Sequence, residues 1–300
     1  MTSDAPAGGG LVLPEAARKR IAAAGAGSGG WSSDLSVGEL AAIRQSGFQP
    51  VGLVMGSSIY RLGGQYGNNW YSNYGGRGGY FRQYPCPHGF GQWGAQGHFW
   101  GANWEHSYHE AGLEEAQRLA MSRLEEEATE LGAHGVVGVR LTFRHLAAVG
   151  GLVEFTVVGT GIHRPGVAPL ATPFTSHLSG QDFAKLMRSG CIPAALVMGI
   201  AALEADPGCG ARLSMNSWVN GEVQQYSDVI DAARAIATQK LERATSSVGD
   251  AVVGANIDLR VHDVGESKLA EVMVIGTAVR RFATAPLDEP PLPMMRLVDR

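Results

Sequence analysis

Apolar residues follow the same succession of periods twice along the chain. They recur at the helical spacing of three or four in residues 113–131 and again in residues 230–244, with charged residues between them. In residues 137–143 and 253–259 every second residue is apolar, as in a strand with one covered face. The pattern therefore predicts, in each half, a long helix followed by the strands of a small sheet.

Blocks of the first half recur in the second half in the same order. The matching pairs are 35–56 with 178–199, 126–141 with 243–258, and 155–164 with 272–281. Because three blocks match in one order, we interpret the chain as a tandem duplication.

A short helix is predicted at the start of each copy. Ser36 is suited to an N-cap and Glu39 follows three residues later, and Ser179 with Asp182 repeats the pattern. The apolar residues that come after each cap helix indicate a buried strand. Each copy is thus predicted to have the order cap helix–β–α–β–β, an α+β fold in which one helix covers a small sheet.

The strand that ends each copy is apolar on both faces. Residues 152–162 and 269–279 contain few charged side chains on either face. This composition is typical of a strand with both faces covered, so we expect a neighbouring subunit to supply part of the cover.

The predicted organisation has two units, flanked and joined by irregular segments. In chain order these are a disordered N-terminal arm (1–34), a first unit (35–164) with a long insertion (63–109), a linker (165–177), a second unit (178–282) and a disordered tail (283–300).

Composition excludes several classes of protein. With 300 residues, 45% hydrophobic residues and a net charge of -4, the chain has the composition of a globular protein with little attraction for nucleic acid or anionic lipid. No apolar run reaches the roughly 20 residues of a membrane helix, and three cysteines are too few for a disulfide scaffold, so we expect a cytoplasmic protein. No Walker, HExxH or GxSxG motif is present. This favours a non-enzymatic role and leaves an enzyme with a site between subunits as an alternative.

The insertion is rich in glycine and aromatic residues and lacks the aliphatic residues of a core. Its aromatic side chains predict an interaction loop for a protein partner or for a second copy of the chain. The residues of this predicted loop are Trp70, Tyr71, Tyr80, Phe81, Trp93, Trp100 and Trp104. Basic residues are sparse around its single Arg-Gly-Gly element, so a nucleic acid is not expected as partner. A loop without any chemistry is the competing interpretation.

The same insertion offers thiol and imidazole groups for a transition metal such as zinc, copper or nickel. The candidate ligands are Cys86, His88, His98, His106 and His109. Their spacing matches no established zinc finger, and solvated histidines in a glycine-rich loop are the alternative. His145, at the end of a predicted strand, is expected to be a surface group.

Short motifs shared by the two copies resemble the YbjQ-like family, whose members are labelled heavy-metal-binding domains. The motifs are LVMG at 53–56 and 196–199, LGAHGVVG at 131–138, GDAVVG at 249–254, GTG at 159–161 and GTAV at 276–279. His134 departs from the acidic residue that is usual at its position and that Asp250 retains.

The resemblance implies two dodecin-like β-α-β-β domains that assemble into rings, typically of five units. Because each chain carries two units, we expect either two stacked pentameric rings or one ring with an even number of units. The sequence therefore favours a ring-forming, non-enzymatic scaffold or binding protein with an aromatic interaction loop. The alternative is a heavy-metal-binding protein that uses the cysteine and histidines of the insertion.

Overall fold

A computed structural model describes most of the chain. The described residues are 15–25, 32–62, 102–105, 107–146, 152–168, 170–206, 221–264 and 267–283. In chain order their elements are α1 (Glu15–Gly25), α2 (Val37–Gln45), β1 (Gln49–Arg61), β2 (Ala102–Glu105), α3 (Ser107–Glu130), β3 (Gly135–His145), β4 (Leu152–His163), β5 (Phe174–Thr175), α4 (Gly180–Arg188), β6 (Cys191–Asp206), α5 (Gln224–Val248), β7 (Ala251–Val264) and β8 (Ser267–Arg281). None of these helices is both long enough and apolar enough to cross a membrane.

The strands form two sheets whose three long strands are arranged in the same order. The first sheet has the order β1-β4-β3-β5, and the second has the order β2-β6-β8-β7. The three long strands of each sheet are antiparallel, and in both sheets the last of these three in sequence lies between the other two. The predicted α+β class, with one long helix for each sheet, is therefore confirmed.

Both long helices approach their sheets closely at a glycine. A Cβ atom on Gly56 of β1 would lie 2.0 Å from the carbonyl oxygen of Ala120, and one on Gly199 of β6 would lie 1.9 Å from that of Ala237. The alanine-rich faces of α3 and α5 allow this distance. The two helices thus lie on equivalent places of the two sheets.

Two short strands extend the sheets at their edges. β2, which precedes α3, pairs with the end of β6 in the second sheet. β5, which lies between the halves, pairs in parallel with β3 in the first sheet. β2 lies within the predicted insertion (63–109), β5 within the predicted linker (165–177) and helix α1 within the predicted N-terminal arm (1–34).

The two halves meet at an extensive contact, which we call the junction. The face of the second sheet opposite α5 packs on β3 and on the first turns of α3. Ile200 and the partly buried Met198 and Met273 of the second sheet contact the core cluster that includes Leu113 and Phe143 of the first half. The cover that the sequence assigned to a neighbouring subunit is therefore supplied, for β8, by the first half of the same chain.

Carboxylates of α3 complete the edges of both sheets. Glu110 accepts a hydrogen bond from the backbone N–H of Ala202 at 2.7 Å, just beyond the end of β2, and Glu127 accepts one from Met55 of β1 at 2.9 Å. Lys240 of α5 donates to Glu110 at 2.6 Å and to Glu114 at 3.1 Å across the junction. These contacts join α3 to both halves of the molecule.

Candidate functional site

A buried carboxylate lies in the centre of the junction. Glu271 is on β8, the middle strand of the second sheet, and is opposite Ala202 of β6 and Arg260 of β7 in the strand register. Because side chains alternate along a strand, Val272 points into the core under α5 and Glu271 points to the opposite face. That face is covered by the first half, so the Glu271 side chain is almost completely removed from solvent.

Three histidines surround this carboxylate. His109, on the first turn of α3, contacts Oε1 of Glu271 through its Nε2 atom. His145, the last residue of β3, places its Nε2 atom 2.9 Å from Oε2, and His262 of β7 places its own 2.8 Å from the same oxygen. We call these four residues the His–Glu cluster. Each half of the chain supplies two of them.

The surroundings of Glu271 favour the ionised form of its carboxyl group. Burial by itself favours the neutral acid, but hydrogen bonds from His109, His145 and His262 outweigh it and hold the pKa of Glu271 well below its ordinary value. An ionised carboxylate can only accept hydrogen bonds, so the Nε2 atom of each histidine acts as the donor.

The cluster is closed on one side and open on the other. His109 is buried, whereas the side chains of His145 and His262 are 25% and 27% exposed. The imidazole rings of His145 and His262 lie 4.5 Å apart between centroids, and Phe143 packs edge-on against His145. Solvent and small ions can therefore reach the site past His145 and His262.

A cation supports the apolar wall of the site. The guanidinium of Arg260 lies 4.5 Å from the centre of the Phe143 ring. It also donates a hydrogen bond to the Phe143 carbonyl at 2.5 Å and pairs with Asp258. Since Arg260 belongs to the second half and Phe143 to the first, this contact stabilises the junction beside the cluster.

The donor set of the cluster fits a transition metal. One ligand atom each from His145, His262 and Glu271 lies within 4.8 Å of the others. Imidazole nitrogens with one carboxylate oxygen are the ligands of many zinc, iron, nickel and copper sites. His109, on the other oxygen of Glu271, is placed to orient the carboxylate or to serve as a further ligand.

One of the five metal ligands predicted from sequence, His109, belongs to the cluster. Cys86, His88, His98 and His106 lie outside the described residues. Of the predicted aromatic interaction residues, Trp104 has its backbone in β2. The others also lie outside the described part of the chain; these are Trp70, Tyr71, Tyr80, Phe81, Trp93 and Trp100.

His145, His262 and Glu271 were not among the site residues predicted from the sequence. His145 was expected to be a surface group, but the second sheet covers the end of β3 and leaves its side chain 25% exposed. The hairpin of β7 and β8 gave one usable signal, since its register sets Arg260 opposite Glu271 and leaves His262 two residues away on the same face. No local pattern could have indicated that His109 and His145 meet this hairpin.

Comparison with known proteins places these residues in a family. The model of the YbjQ-like family, described as "Putative heavy-metal-binding", matches residues 100–164 and 194–281, together more than half of the chain. Both matched segments contribute to the His–Glu cluster.

A curated relative extends over nearly the whole chain. The "Encapsulin nanocompartment protein Rv1762c" of Mycobacterium tuberculosis is 33% identical over 264 residues, which cover 84% of this chain and 86% of the relative. The resemblance seen in the sequence motifs is confirmed, and the chain belongs to the YbjQ-like family.

Proposed function

We propose that this protein binds a divalent transition-metal ion at the His–Glu cluster. The observation that carries the proposal is the buried carboxylate of Glu271 with three histidine Nε2 atoms around it. His145, His262 and Glu271 would hold the ion, with His109 against the second carboxylate oxygen. When bound, the ion would supply a Lewis-acidic centre beside the open side of the cluster.

The arrangement is costly as a device for stability alone. An ionised carboxylate loses its hydration when it is buried, and a well-packed apolar group at such a place is often as stabilising or more so. The donor types of the cluster suit zinc, nickel, cobalt or copper, which agrees with the label of the family. Metal binding, the alternative function inferred from the sequence, is thus proposed here with a different set of residues. Only His109 belongs to both sets.

Metal titration of the full chain tests this proposal. We expect the protein to take up about one Co²⁺ or Zn²⁺ ion per chain, measured by calorimetry and by the visible spectrum of bound Co²⁺. The double variant His145→Ala/His262→Ala and the single variant Glu271→Gln should weaken binding at least tenfold. His163→Ala, a matched histidine of β4 outside the cluster, should bind as the unchanged protein does.

The cysteine and histidine set of the insertion is tested in the same titration. The variant Cys86→Ser/His88→Ala should keep its metal if the cluster is the site. Loss of binding in that variant, with full binding in His145→Ala/His262→Ala, would assign the metal to the insertion. Absence of saturable binding to any of the four ions would overturn the metal function altogether.

We propose as a second function that the protein is a self-assembling scaffold in the cytoplasm. The supporting observation is the relative named as an encapsulin nanocompartment protein, because the match includes most of both chains. In this proposal the units 35–164 and 178–282 are dodecin-like domains in a ring, and the aromatic insertion residues form an interaction loop.

Native mass spectrometry tests the scaffold function. A mass of several chains supports it, and a single chain at micromolar concentration would contradict it. Deletion of residues 65–105 tests the interaction loop separately. If the deletion changes neither the mass nor the capture of a partner, the aromatic residues have no such role.

A further inference from the structure

The two halves differ in what covers one particular strip of their sheets. In the first half this strip is the side of β3 next to α3, where Phe143 is buried under the second sheet. In the second half the equivalent strip, on β7 next to α5, consists of Ile257, Leu259 and Val261. Within the described part of the chain it is poorly covered, since Ile257 is 49% and Val261 51% exposed. The equivalence follows from the register, in which Phe143 pairs with Phe155 and Leu259 with Val272.

The face that provides the cover in the first half also has an exposed counterpart. On β6, Ile200 and Ala202 are buried in the junction. Gly56 of β1 is equivalent to Gly199 of β6, so the counterparts of Ile200 and Ala202 on β1 are Ser57 and Ile59. The Ile59 side chain is 64% exposed. The molecule thus has an apolar strip on β7 at one end and a partly apolar outer face of the first sheet at the other.

Charged residues at these two surfaces have the same sign of charge as the equivalent residues in the junction. Lys240 of α5 pairs with Glu114 of α3 in the junction. Arg123 of α3 is equivalent to Lys240 of α5. Asp231 of α5 is equivalent to Glu114 of α3. Arg123 already donates to the Ser57 carbonyl and Asp231 pairs with Arg234 on its own helix, so the same pairing between two molecules would add to these contacts or replace them.

A second polar contact has counterparts in the same way. Arg260 reaches across the junction to the carbonyl of Phe143. Arg144 on the first sheet is the counterpart of Arg260, and Leu259 on β7 is the counterpart of Phe143. The free surfaces hold one cation and one carbonyl in the places that this contact requires.

From these correspondences we infer that the β7 strip of one molecule binds the outer face of the first sheet of a second copy, in the geometry of the junction. Ile257 and Val261 lie in this contact with Met55 and Ile59 of the second copy. Arg123 of the second copy lies near Asp231. The inference rests on the proposed scaffold function and is independent of metal binding.

Such a contact joins two different surfaces and so can repeat. A head-to-tail interface closes into a ring when its rotation permits and otherwise continues as a filament. Junctions within and between chains then alternate around the ring. The His–Glu cluster belongs to the junction within the chain, because the counterparts of His109 and His145 in the second half are Tyr226 and Val261. Metal would accordingly bind at every second junction.

The experiment uses two surface variants that each break one side of the contact. Ile257→Glu/Val261→Glu introduces charge on the strip, and Ile59→Glu introduces charge on the outer face. Both should reduce the native mass from the wild-type assembly to a single chain. Val167→Glu is the matched control, since Val167 is also exposed but lies in neither surface. It should leave the assembly intact.

Mixing the two variants provides the decisive measurement. Each variant retains the surface that the other has lost, so an equimolar mixture should form a dimer of two chains and nothing larger. Metal content and far-ultraviolet circular dichroism of both variants should equal those of the wild type, because the cluster lies in the other junction.

Three outcomes would overturn the inference. A monomeric wild type removes both this interface and the scaffold function. An assembly that survives both variants removes this interface while the scaffold function stands. Variants that dissociate but form no mixed dimer exclude a head-to-tail contact between these two surfaces.

Discussion

The two halves of the molecule share one topology and differ at the surfaces where they meet. Glu154 and Glu271 occupy equivalent positions on the middle strands of the two sheets, yet Glu271 is buried among three histidines and Glu154 is half-buried. The histidine at the end of β3 corresponds to Val261 on β7. The chemistry of this chain therefore depends on which side of a repeated unit is covered, since the unit itself is the same.

The parts that the halves have in common are those that the fold requires. Gly138 of β3 and Gly254 of β7 both adopt a positive φ, at 62° and 66°, and both lie at a register shift of their strand. Glycine adopts this conformation at low cost, and the extra residue allows a bulge. The paired glycines on β1 and β6 under the long helices are conserved between the halves for close packing.

Breaking the helix–sheet contact should have the largest effect. Gly199→Ala and Gly56→Ala each place a Cβ atom about 2 Å from a helix carbonyl, so that the helix must move away from its sheet. We expect a loss of about 3 kcal/mol or more in the free energy of unfolding for either variant. Urea unfolding followed by circular dichroism measures it.

The control for this pair is Gly221→Ala, where no atom lies within 4 Å of the added Cβ. It should unfold at the wild-type midpoint within error. If Gly56→Ala were tolerated and Gly199→Ala were not, the two halves would differ in how tightly their helices pack, and the comparison would need revision.

The shared architecture was predictable because its signals are local. The helical stripes and alternating strands identified α3, α5, β3 and β7, and α5 (Gln224–Val248) contains the apolar stripe predicted at 230–244. The N-caps Ser36 and Ser179 are also confirmed, since each hydroxyl accepts a hydrogen bond from the backbone N–H of the residue three positions later. Such features depend on neighbours within a few positions in the chain.

The site was not predictable because it depends on contacts between distant segments. Glu271 meets His109 and His145 at separations of 162 and 126 residues. Apolar periodicity reports which face of a strand is covered, and it carries no information on what covers it. The composition of the glycine- and histidine-rich insertion indicated a metal site. Three of the four residues of the His–Glu cluster instead lie singly on strands whose composition gives no such signal.

A threonine repeated in both halves offers a comparison of intermediate size. The hydroxyl of Thr160 accepts the N–H of Asp34 at 3.1 Å, and that of Thr277 accepts the N–H of His177 at 3.3 Å. Thr277 also contacts Nδ1 of His177 at 2.8 Å and the Ser176 hydroxyl at 3.2 Å. Both threonines are fully buried.

Substitution by valine keeps the shape and removes these hydrogen bonds. We expect Thr277→Val to cost about 1–3 kcal/mol, because several polar groups lose their partner, and Thr160→Val to cost about 1 kcal/mol. Urea midpoints of the two variants give the comparison. Equal costs would mean that the extra contacts of Thr277 contribute nothing to stability, and that the two positions are energetically alike despite their surroundings.

The smallest expected effect concerns the two cap helices. In α2 the Glu39 carboxylate accepts the N–H of Ser36 at 2.8 Å and that of Gly180 at 3.3 Å, so that it also joins α2 to α4. In α4 the carboxylate of Asp182 accepts the Ser179 hydroxyl at 2.7 Å. The pKa of Glu39 is lowered, chiefly by its hydrogen bond with the Ser36 side chain. A lowered pKa in the folded state means that ionised Glu39 stabilises the protein above its unfolded pKa of about 4.3, and that this contribution is lost as the pH falls.

Glu39→Gln should therefore lower the free energy of unfolding by about 0.3–1 kcal/mol at pH 7, the scale of a carboxylate at a helix N-terminus, and by progressively less as the pH falls below about 4.3. Asp182→Asn serves as the matched variant on α4. The pKa of Asp182 is also lowered, first by Ser179, so its cost should likewise decline as the pH falls into the acid range. Unfolding midpoints measured from pH 7 down to pH 2 give the effect. A cost of Glu39→Gln that stays constant over this range would show that ionisation of Glu39 contributes nothing to stability.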